Sequence, residues 1–115
     1  MQIYIGPSRT RVIENQDVIR DLAVGMLVAV GGESFPRIGK VAAIPPGNLS
    51  LDSSVEVAWF QQERASHKPQ WLRFFKQTPH TSTILMKEIL LYDFCLTNKG
   101  ALKKKSRDYL KPLFV

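Results

Sequence analysis

A series of short β-rich runs between Val24 and Leu96, punctuated by turn residues, limits most strongly what this chain can become. "VGMLVAVGG" closes on Gly31-Gly32, and "IGKVAAI" closes on Pro45-Pro46-Gly47. In "SSVEVAWF" the alternation is strict: Val55, Val57 and Trp59 share one face, while Glu56, Ala58 and Phe60 share the other. "QWLRFF" makes a fourth run after the polar loop "QQERASHKP". A second loop, "KQTPHTS", leads into "ILMKEILLYDFCLT", which stops at the turn residues Thr97-Asn98-Lys99-Gly100. The middle of that run fits two patterns, because Ile84, Leu85, Glu88, Ile89 and Tyr92 also share a helical face; Ile89–Leu96 reads as strand. Short strands and turn-rich loops within about 75 residues predict a mostly β chain, a small antiparallel five-stranded barrel rather than a parallel sheet. Closing the strands into a barrel removes exposed edges.

The flanks add less. Gln2–Ile5 alternates and stops at Gly6-Pro7, which predicts one short strand. Residues 8–21 are polar, and Asp17–Leu22 suits one helical turn. At the other end, "ALKKKSRDYLKPLF" predicts a short helix with Ser106 as N-cap and Tyr109 and Leu110 turned inward. The expected organisation is an N-terminal strand and extension over 1–20, a barrel over 21–96, and a basic C-terminal extension over 97–115 packed on it.

A chain of 115 residues suits one domain. No apolar run approaches the roughly 20 residues needed to cross a bilayer, so no membrane partner is expected. The N-terminal segment lacks a basic stretch followed by an apolar core, so no secretory signal is expected. Cys95 is the single cysteine, which excludes an internal disulfide and fits a reducing compartment, cytosol or nucleus. The formal charge of +6 is lopsided. Residues 1–60 carry five Lys/Arg against six Asp/Glu, and residues 61–115 carry eleven against four. A cationic half of this kind attracts polyanions, or serves only solubility.

Signals for catalysis are absent. His67 and His80 lie in separate polar loops with no Cys, Asp or Glu at metal-ligand spacing, so neither a metal nor a cofactor is expected. There is no glycine-rich phosphate loop and no dinucleotide fingerprint. Glu56 and Glu88 fall on separate runs and read as solvent-facing carboxylates. Cys95, inside an apolar run, reads as a small buried hydrophobe.

Binding chemistry has more support. Of eleven aromatic residues, eight lie in the strand and loop region: Phe94 and the seven that matter most for binding, Phe35, Trp59, Phe60, Trp71, Phe74, Phe75 and Tyr92. Neighbours on a strand face opposite sides, so Trp59-Phe60 and Phe74-Phe75 each present one ring to the interior and one away from it. The outward rings either pack beneath residues 84–115 or form a platform for a base or an alkylated ammonium. Cations flank them: Arg37 and Lys40 at the second run, Arg64, Lys68, Arg73 and Lys76 around the fourth, and Lys103, Lys104, Lys105 and Arg107 in the tail. These are the candidate nucleic-acid contacts, made through phosphate and without sequence preference.

The order "DLAVGMLVAV", loop, "FPRIGKVAAI", "VEVAWF", then a tryptophan resembles the Tudor-like and PWWP-like barrels of the "Royal" chromatin-reader superfamily. The bromo-adjacent homology domain opens similarly. The resemblance covers roughly residues 21–75 and a strand near 88–94, and it implies an SH3-like barrel. It further implies an aromatic cage for a methylated lysine or arginine, walled by Phe35 from the first loop, by Trp59 or Phe60 from the third strand, and by Trp71. The chain departs from the family in having Val30-Gly31 where many Tudor domains keep an aromatic, and only Phe35 before Pro36 where PWWP domains keep a pair. A carboxylate commonly assists such a cage, and here Glu33 or Glu63 would have to supply it from a loop.

Three functions follow as expectations. The first is a non-catalytic, nuclear, chromatin-associated module that binds a histone-type tail through the aromatics and DNA through the basic half. The second is an SH3-like DNA- or RNA-binding domain without methyl-ligand recognition. The third is a protein-interaction or scaffold module.

Overall fold

The structure, a computed structural model, describes residues 2–5, 12–64 and 67–114. Seven strands form one sheet: β1 Gln2–Ile5, β2 Val12–Glu14, β3 Leu27–Val30, β4 Arg37–Ala43, β5 Ser54–Gln62, β6 Phe75–Leu85 and β7 Ile89–Phe94. Helix α1 spans Asn15–Asp21 and helix α2 spans Lys104–Leu110. The order across the sheet is β2-β1-β7-β3-β4-β5-β6. From β7 to β6 this is a run of five antiparallel strands, while β1 joins β7 in parallel. The chain is therefore mostly β with a short C-terminal helix, as its sequence predicts. Among the described residues no ladder closes the sheet on itself, so β2 and β6 are its two edges.

Alternation along the strands builds a core on each face. Val28, Val30, Val41, Val55, Val57, Ile89 and Tyr92 turn to one side, where Val18 and Leu22 of the α1 segment cover them. Ala29, Ile38, Phe75, Leu91 and Phe94 turn to the other, beneath Leu102 and Leu110. Burying each such aliphatic side chain stabilises the fold by about 1.5–3 kcal/mol. Tyr92, fully buried, donates its phenol O–H to Asp21 at 3.2 Å and so ties α1 to β7. A bulge in β7 places Asp93 at φ 57, a left-handed conformation that Asp tolerates better than most residues.

Several local expectations need correction. "KQTPHTS" is not a loop but the body of β6, whose residues 76–83 are mostly exposed. An edge strand covered on neither face needs no apolar alternation, and Pro79 fits there because an edge residue can lack an N–H donor. "QWLRFF" is not a strand throughout: Gln70–Leu72 form a 3-10 turn, and extended pairing starts only at Phe75. Val12–Glu14, inside the stretch read as polar, pairs with β1. The last strand ends at Phe94; Leu96 makes only an isolated bridge to Leu102, and Cys95 is exposed rather than buried. Lys103, not Ser106, precedes α2, and Ser106 lies fully buried within the helix. Ser106 and Leu110, four residues apart, share one face of α2 and are both buried, with Leu110 packed in the core on that side of the sheet. Leu110 points inward as expected, and Tyr109 is half-buried. The expected stop at Gly6-Pro7 lies outside the described residues.

Candidate binding groove

The first loop, the end of β5 and the start of β6 enclose a groove of about 530 Å³. Pro36, buried at the mouth of β4, fixes the backbone that brings Phe35 and Arg37 to it. Strand β5 contributes Trp59, Phe60, Gln61 and Gln62, and β6 contributes Phe75, Thr78 and His80. The ladder between β5 and β6 shifts by two residues between Ala58↔Thr81 and Phe60↔Gln77, so residues 78–80 bulge opposite Trp59. That bulge is what turns Thr78 and His80 toward the groove.

Trp59 is held on several sides. Its indole N–H donates to Ser82 Oγ at 2.6 Å, and its carbonyl accepts from Thr78 Oγ1 at 2.9 Å. Gly39 is its direct partner on β4, and a Cβ there would stand 3.0 Å from the indole and inside the Val57 side chain. The glycine of "IGKV" is thus the hollow in which the indole lies. Arg37, two residues along β4 on the same face, sets its guanidinium carbon 4.8 Å from the centre of the Trp59 ring.

The four expected cage residues separate into two groups. Phe35, Trp59 and Phe60 line the groove, whereas Trp71 is not among its lining residues. Trp71 packs behind Phe35 with ring centres 4.6 Å apart, and Phe35 stacks on Phe75 at 6.1 Å. Phe114 meets the edge of Trp71 at 6.1 Å. Phe35 and Trp71 therefore pack into the core beneath the C-terminal segment, and Phe60 joins that same core. The groove lining contains no Asp or Glu among the described residues; Glu63 lines a neighbouring groove, and Glu33 neither.

The cations distribute as follows. Arg64 and Lys76 line that neighbouring groove of about 450 Å³, which shares Gln61, Gln62, Thr78 and His80 with the first. Lys40 lines a third groove with Phe60, Asp93 and Cys95. Lys68 sets its ammonium 3.7 Å from the Phe74 ring centre, and Arg73 donates to the Lys68 carbonyl at 3.0 Å, which ties residue 68 to residues 73 and 74. Lys103, Lys104 and Lys105 are exposed at the start of α2, and Arg107 is half-buried. Lys104 pairs with Asp108 at 2.7 Å, and this hydrogen bond, with the surrounding cations, holds the Asp108 carboxyl below its usual range. Lys111, missed by the sequence reading, lies 6.0 Å from the centre of the Trp71 ring. Among the described residues no group of three or more His, Cys, Asp and Glu side chains is arranged to hold a metal ion. Nor is any described helix long and apolar enough to cross a membrane.

The sequence reading also missed the role of Arg37 as the cover of Trp59, and it missed the lining residues His80, Gln61 and Gln62. Alternation offered one usable signal. Residues 37 and 39 share a face of β4, and a glycine at 39 leaves room for a long side chain to lie over the neighbouring strand.

No protein-family model matches the chain, and neither the curated proteins nor the solved structures compared with it give a match.

Proposed function

We propose that the chain is a non-catalytic, SH3-like binding module whose ligand is nucleic acid, held at the groove by stacking and beside it by phosphate contacts. The Arg37–Trp59 stack carries this reading: an exposed guanidinium lies over the indole, in a groove whose described lining has no carboxylate. A methylammonium ligand seeks a bare ring face with an acid nearby, and here a cation already lies over that ring. A polyanion meets the opposite conditions. Arg37 and His80 stand in the groove, Arg64 and Lys76 continue beside it, and the +6 charge steers such a ligand toward the domain. Lys103, just before α2, and Lys105 within it are both exposed and offer further contacts.

Labelled DNA and RNA, titrated at several salt concentrations, test this reading. Affinity falls steeply as salt rises, and Arg64→Ala or Lys76→Ala each lower the slope of log K against log salt by about 0.7–0.9. Absence of binding to any nucleic acid at about 50 mM salt, a condition in which phosphate contacts are strong, overturns it.

The convergence of Phe35, Trp59 and Phe60 on one groove favours a second reading, a Tudor- or PWWP-like nuclear reader of a histone-type tail. Methylated and unmodified tail peptides run in the same titration separate the two, because a reader binds the methylated peptide more tightly and a nucleic-acid module does not.

A further inference from the structure

We infer that the nucleic acid taken by this groove is an unpaired strand, one base of which stacks on the outer face of the Arg37 guanidinium. The inference rests on the nucleic-acid reading and names the form of its ligand. The guanidinium is planar, its carbon lies over the Trp59 ring 4.8 Å from the ring centre, and a planar partner can stack on the side that faces away from the indole. Arg37 itself is exposed. The platform is already assembled in the free chain: Ser82 and Thr78 fix Trp59 at 2.6 and 2.9 Å, and Gly39 leaves the indole its hollow. A base added there completes a base–guanidinium–indole sandwich on an indole that is already held in place. In a duplex every base face is already occupied by its neighbours, so only an unpaired base can use the platform.

The sheet register supplies the path for the rest of the strand. Gln61 lies two residues beyond Trp59 on the same face of β5, and Lys76 is its direct partner on β6. A strand leaving the Arg37 platform along β5 therefore meets the Gln61 amide and then the Lys76 ammonium. Arg64 lies in the same neighbouring groove as Lys76. His80, on the bulge between the two grooves, lies beside that path. The sequence of groups is stacking platform, amide, phosphate-binding cation. A duplex could use only the last of them.

Trp71→Phe leaves Trp59 as the sole tryptophan, since the chain has two. Titrating that variant with a 12-residue oligothymidylate, and with a duplex of equal length, reads the platform directly. The single strand quenches Trp59 emission and binds at least about tenfold more tightly than the duplex. Anisotropy of the labelled oligonucleotides with the unaltered chain gives the same comparison should Trp71→Phe fold poorly. Arg37→Lys keeps the charge but not the plane, and it removes most of the single-strand preference. Duplex binding as tight as single-strand binding, or full single-strand affinity in Arg37→Lys, overturns the inference and leaves the nucleic-acid reading standing. Binding of neither overturns both.

Discussion

Replacing Gly39 by Ala tests whether the hollow under Trp59 is needed. The added Cβ would fall inside the Val57 side chain, 3.0 Å from Trp59 Cε3 and 3.1 Å from the Ala58 carbonyl oxygen. None of the three can yield easily: Val57 is fully buried, Ala58 presents backbone, and Trp59 is tied to Ser82. Overpacking of this kind costs about 1–3 kcal/mol. The backbone at Gly39 is not left-handed, so alanine also restricts the unfolded chain, which returns about 0.4–1 kcal/mol. The net loss is about 1–2 kcal/mol, and with a urea slope of about 1–3 kcal/mol per molar the midpoint falls by about 1 M. Gly31→Ala is the matched control, because its backbone is also not left-handed and its Cβ would meet nothing within 4 Å. Urea unfolding followed by circular dichroism should find Gly31→Ala more stable than the parent by about 0.4–1 kcal/mol, the unfolded-chain effect without the clash. Equal midpoints for the two variants would refute the claim that Gly39 makes room for the indole.

Two further outcomes concern the C-terminal helix. Ser106 is fully buried and its hydroxyl has no partner among the described residues, so Ser106→Ala should stabilise the chain by about 1 kcal/mol, whereas Leu110→Ala should cost about 2–5 kcal/mol; urea midpoints that both fall would contradict this. Burial raises the Tyr109 phenol above its ordinary value of 10.0. Above that value the unfolded chain releases the proton first, so stability falls as pH climbs past 10.0, and it is unaffected by this group below. Tyr109→Phe should flatten that part of the stability–pH curve; an unchanged slope would sink the assignment.

The strands that bury a face were legible because burial imposes a period. Val55, Val57 and Trp59 do share one face, and the Gly31-Gly32 and Pro45-Pro46-Gly47 stops bracket β3 and β4. Where burial is absent the period is absent too, which is why residues 76–82 resembled a loop while forming most of the longest strand. Three of the aromatic residues singled out, Phe35, Trp59 and Phe60, line one groove, but composition cannot say what covers a ring. Phe35 and Trp71 are covered by each other and by residues 75 and 114, contacts between positions distant in sequence. The Arg37–Trp59 pair depends on the register between β4 and β5, which one strand's alternation does not fix.

The account turns on whether a nucleic-acid strand lies over the Arg37–Trp59 stack, and backbone chemical-shift mapping of the 15N-labelled chain during an oligonucleotide titration measures this directly. The expected result is a contiguous set of shifts at Arg37 and Ile38, Trp59 to Gln62, Lys76 to Thr78 and His80, together with the Trp59 indole N–H. Shifts confined to Lys103–Lys111, with the Trp59 indole unmoved, would contradict it.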